Sequence, residues 1–87
     1  MKKEILLEEL REACQHVGYS LRFEKGDFEG GSCILREKKL LIVNKRFTLD
    51  KKLSSIARAL GELGIEEMYL KPVVRDYIED EMSKLIR

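Results

Sequence analysis

The chain has no tryptophan, one proline, one histidine and two cysteines in 87 residues. With His16 as the only imidazole, the ingredients of a Ser–His–Asp triad are missing, and there is no P-loop, no G-x-G-x-x-G and no EF-hand spacing. Cys14 and Cys33 stand nineteen residues apart, which makes neither a disulfide framework nor a C-x-x-C pair. Long apolar runs are also missing. Met1-Lys2-Lys3-Glu4 opens like a signal peptide, but Ile5-Leu6-Leu7 gives way at once to Glu8 and Glu9. There is no h-region and nothing near the ~20 apolar residues of a membrane span. The expectation is a reduced, cytoplasmic protein that does not enter a membrane. Neither sign of charge dominates, and a net charge of +1 argues against a protein whose main work is holding polyanions.

The residues that are present describe a folded domain. A hydrophobic share of 44% and a charged share of 38% fit a globular chain rather than a disordered one. The length predicts one domain, residues 1–87, with one thin core and no deep substrate chamber. Leu6, Leu10, Ala13 and Val17 recur at helical spacing, with Ile5 and Cys14 beside them, and predict a helix from Lys3 to Val17 that Gly18 ends. The period then changes to two. Tyr19, Leu21 and Phe23 alternate with polar residues, and further strands are predicted over 32–36 and 40–44, after a glycine-rich loop at 25–31. Leu40-Leu41-Ile42-Val43 is apolar on both faces, which places it centrally. Thr48 is the predicted N-cap of a helix striped by Leu49, Leu53, Ile56, Leu60 and Leu63, with Gly61 inside it and Gly64 at its end. Pro72 opens a last helix striped by Val74, Tyr77, Ile78, Met82 and Leu85. The predicted class is α+β, in the order α-β-β-β-α-α, with a small three-stranded antiparallel sheet packed by helices.

Charge is uneven along the chain. Arg36, Lys38, Lys39, Lys45, Arg46, Lys51 and Lys52 face only Glu37 and Asp50 over their stretch, a candidate basic edge able to touch phosphates. It also suits an acidic last helix (Asp76, Glu79, Asp80, Glu81) in a second copy. Cys33, after two glycines at the mouth of a strand, is the candidate reactive thiol, although no histidine is near it in sequence. Glu62, Glu66 and Glu67 place carboxylates at i, i+4 spacing near a helix end, but exposed glutamates there are usually just solvated. No catalytic residue, metal ligand or cofactor is assigned.

The strand ending in Leu41-Ile42-Val43-Asn44, followed by Ala57-Arg58-Ala59-Leu60-Gly61-Glu62, resembles the centre of small zincin-type metallopeptidases, in which such a strand precedes a helix bearing A-H-E-L-G-H. The resemblance covers residues 40–64. Ala57, Leu60 and Gly61 match the framework, but Arg58 and Glu62 stand at the two zinc-binding histidine positions and Ala59 at that of the general-base glutamate. It implies a zincin-like fold that has lost metal and catalysis and keeps a protein-binding role. At i, i+4, Arg58 and Glu62 are expected to form a helix-surface ion pair. The chain also resembles short, stand-alone bacterial proteins of unassigned function.

The expected function is therefore non-catalytic association, with itself as a homo-oligomer or with another protein. Phe28, Phe47, Met68, Tyr69 and Leu70 form the candidate interaction surface, because they fall in loops and exceed what one thin core can cover. The alternatives are weak nucleic-acid binding through residues 36–52, and an enzyme with a cryptic metal or thiol site.

Overall fold

The computed structural model describes residues 1–25 and 32–85. Phe28 and the Gly30-Gly31 pair lie outside them.

Helix α1 spans Lys3–His16 and buries Leu6, Leu10, Ala13 and Cys14. Gly18 closes it with φ 82°, and the amides of Gly18 and Tyr19 donate to the carbonyls of Gln15 and Cys14, both at 2.9 Å. That closure requires a left-handed residue, which glycine adopts without strain. Ile5 is 50% exposed. It sits about 100° around the helix from Leu6, off the buried stripe.

Strands β1 (Ser20–Glu24), β2 (Ser32–Leu35) and β3 (Leu40–Asn44) form one sheet in the order β1-β3-β2. The two-faced apolar strand is central, as its composition predicts. The sheet is mixed rather than antiparallel throughout. β2 runs antiparallel to β3, but β1 runs parallel to it, pairing Leu21 with Leu41 and Phe23 with Val43. Connection length explains the difference. The segment between β1 and β2 is too long for the tight turn that makes neighbours of consecutive strands, whereas β2 returns to β3 through Arg36–Lys39. β2 therefore takes the far position and β3 fills the gap.

Helix α2 spans Leu49–Leu63 and buries Leu53, Ile56, Ala57, Ala59 and Leu60. The Thr48 hydroxyl accepts from the Lys51 amide at 3.3 Å, the predicted cap. Asp50 in the first turn meets Lys3 at 2.8 Å, joining the starts of α1 and α2. Helix α3 spans Pro72–Ser83, with Val74, Ile78 and Glu81 buried. Leu85 lies beyond its end and is exposed, a departure from the predicted stripe.

All three helices contribute to one core, on one face of the sheet. Leu41 and Val43 point into it, flanked by Leu21, Phe23 and Ile34. The opposite face carries Arg22, Glu24, Cys33, Leu35, Leu40 and Ile42, none of which joins the core. Gly61 sits where α2 meets α3. A Cβ there would collide with the Met82 side chain, so the close approach requires the missing side chain and offsets the helix-propensity cost of about 1 kcal/mol. Gly61→Ala is expected to lower the unfolding free energy by about 1 kcal/mol despite alanine's better propensity. In a Met82→Ala background the same substitution is expected to raise it. Urea titration of the four proteins measures both.

Candidate functional site

The seven residues of the basic edge do not form one surface. Arg36, Lys38 and Lys39 lie at one end of β3, and Lys45 and Arg46 at the other. Lys39 and Lys45 are separated by an extended segment of about 20 Å. Lys51 lies 4.9 Å over the Phe47 ring and Lys52 lies 5.1 Å over Phe23, while Arg36 faces Glu62 at 4.0 Å. Much of the charge is thus directed into the molecule's own side chains.

The apolar loop residues are dispersed as well. Phe47, Met68 and Leu70 are partly buried and pack against the core, and only Tyr69 is fully exposed. Met68, Tyr69 and Leu70 line a groove of about 610 Å³ between α1 and the segment before α3. Lys71 and Glu9, both in its lining, are joined at 2.7 Å, and the hydrogen bond to Glu9 raises the Lys71 pKa. This groove has no free strand edge beside it.

Cys33 pairs across the sheet with Ile42 and points to the face away from the helices. His16 ends α1, on the helix side. The sheet separates them, so the imidazole does not activate this thiol. Cys14 is buried in the core, and burial pushes its pKa up to about 11. Among the described residues, no three His, Cys, Asp or Glu side chains gather in a metal-binding group. α2 ends at Leu63, so Glu66 does not share a helix face with Glu62.

A second groove, about 430 Å³, runs between the outer edge of β2 and α2. Ser32 and Ile34 form one wall, Arg58, Ala59 and Glu62 the other, and Met82 lies at its α3 end. The ion pairing here departs from the local expectation. Arg58 does not turn along its own helix to Glu62. Its Nε stands 3.5 Å from Glu81 of α3, and Glu62 faces Arg36 instead. Glu81 is only 5% exposed, and its second oxygen accepts from Lys84 at 2.9 Å. That hydrogen bond raises the Lys84 pKa. A buried carboxylate is tolerable when it is hydrogen-bonded and flanked by opposite charge in this way. The last helix is therefore not a uniformly solvated acidic face, because Glu81 belongs to the α2–α3 contact.

Sequence reasoning placed Glu81 among exposed acids. The spacing held a contrary signal, since Val74, Ile78 and Glu81 recur at i, i+4, i+7. Compared with protein-family models, curated proteins and solved structures, the chain matches none. Among the described residues, no helix is long and apolar enough to cross a membrane.

The two thiols are expected to behave differently. Because the Cys14 pKa in the fold is raised to about 11, its protonated form is favoured, and its contribution to stability is complete below the unfolded thiol's pKa. That contribution is lost as pH rises toward 11, roughly 2–3 kcal/mol in all. Urea melts from pH 8 to 11 should show this loss in the natural protein and a smaller one in Cys14→Ala. At neutral pH, a thiol reagent should modify Cys33 quickly and Cys14 only on unfolding.

Proposed function

We propose that the protein is a non-catalytic interaction module that holds an extended segment of a partner protein against the outer edge of β2. The observation that carries this reading is the contrast between the two sheet edges. β1 presents Arg22 and Glu24, charges of the kind that keep an edge from pairing with other chains. β2 reads Ser-Cys-Ile-Leu, with no charge along its length, and has an open groove beside it. An added strand would extend the sheet by main-chain hydrogen bonds, and its alternate side chains would drop between β2 and α2. The main chain supplies affinity and the groove supplies specificity.

The zincin-like reading of residues 40–64 draws support from the same place. Arg58, Ala59 and Glu62, at the three chemical positions of the resembled motif, all line this one groove. A peptide-holding cleft that has exchanged its metal ligands and base for Arg58, Glu62 and Ala59 would bind without cleaving. Nucleic-acid binding through residues 36–52 gains less, because those bases divide between the two ends of β3.

Selection of extended peptides against the immobilised protein tests the reading. Binders are expected to shift the backbone amide resonances of Ser32–Arg36 and Ser55–Glu62, and to be lost when Ser55→Trp fills the groove. Shifts confined to other surfaces would contradict it. So would a concentration-dependent dimer in sedimentation that occupies the β2 edge with a second copy. The zincin likeness has its own test. Arg58→His with Glu62→His places two imidazoles one turn apart beside the Glu81 carboxylate. This double variant is expected to retain one zinc ion per chain in native mass spectrometry, and to lose it when Glu81→Gln is added. Zinc content unchanged from the natural protein would count against descent from a zincin.

A further inference from the structure

We infer that the partner segment is acidic, with carboxylates that meet Arg58 and Arg36 while apolar side chains sit between them. This rests on the strand-addition reading above and names what the groove selects. Each guanidinium carries five N–H donors. Arg58 Nε stands 3.5 Å from Glu81, and Arg36 approaches Glu62 at 4.0 Å. Among the described residues, neither guanidinium makes a side-chain hydrogen bond.

Of the carboxylates, Glu81 is buried and shared by Arg58 and Lys84, while Glu62, 66% exposed, faces Arg36 at 4.0 Å. The groove lining thus sets two arginines against the one accessible carboxylate of Glu62. Arg58 lines this groove and its side chain is 43% exposed, so a carboxylate seated there can reach it beside apolar side chains, where charge-assisted bonds are stronger. Ile34, Ala59, Met82 and Leu85 supply apolar lining in the same groove as the two arginines. Side chains on one face of an extended peptide recur about every 6.6 Å, a spacing that lets apolar and acidic residues alternate along the groove. Beyond Arg36 the turn continues with Lys38 and Lys39, which steer an acidic chain toward this end. A basic segment would meet two arginines with Glu62 alone to receive it.

Three blocked heptapeptides of threonine, with valine at the fourth position and glutamate, glutamine or lysine at the second and sixth, put one apolar residue between two variable ones on a single face, and test this by fluorescence anisotropy and amide shift mapping at low salt. The glutamate peptide is expected to bind about tenfold more tightly than the glutamine peptide, with the lysine peptide weakest. Among the described residues the Arg36 side chain pairs only with the exposed Glu62, so Arg36→Gln leaves the core intact. It should reduce the preference about threefold, and adding Arg58→Gln should abolish it. Equal binding of the glutamate and glutamine peptides, with shifts in the groove, would overturn the acidic preference and leave strand addition standing. No shift in the groove with any of the three would overturn both.

Discussion

How closely α2 lies against its neighbours determines the rest of this fold. The helix meets α1 on one side, β3 beneath and α3 on the other, and Ala57, Ala59 and Gly61 are the small residues along it. At Gly61 even one added carbon would strike Met82. Small residues let the backbones approach, and dense contact is what stabilises a core this thin. The same approach brings Arg58 within reach of Glu81, so a carboxylate at the α2–α3 contact is neutralised from both helices. The polar contact follows from the packing.

A three-stranded sheet with every helix on one side has a further consequence. Leu41 and Val43 receive full cover, while the residues of the opposite face stay outside the core, and among the described residues β1 and β2 pair with no further strand. The β1 edge is guarded by charge and the β2 edge is not. Because α2 stands off from β2, the unguarded edge lies along a groove rather than on open surface. One short, uncharged strand and one helix flank thus produce the most distinctive surface of the molecule.

The sequence made most of the architecture legible. Hydrophobic period distinguished helix from strand, Gly18 and Thr48 marked ends by their own chemistry, and the double-sided run at Leu40–Val43 marked the central strand. The direction of β1 was not legible, because strand direction depends on where a distant segment finds room and not on its side-chain pattern. The groove was hidden for a related reason. Its walls come from residues about 25 to 50 positions apart, Ser32 to Arg58 and Met82. Local rules paired Arg58 with Glu62 one turn away, but Glu81, reached only through helix packing, takes the arginine. The loop aromatics and methionine misled in the opposite direction. Phe47, Met68 and Leu70 look surplus in a linear reading, yet they are partly buried and pack against the core.

Strand addition needs an unpaired outer edge of β2, and amide hydrogen exchange at monomeric concentration examines that edge directly. In a strand bonded on one side, alternate amides point away from the neighbour. Within Ser32–Leu35, alternate amides are predicted to exchange near unfolded-chain rates, while their neighbours and the inward amides of β3 are protected. Uniform protection along β2 would mean that something already pairs this edge, and the groove would then have no strand to extend.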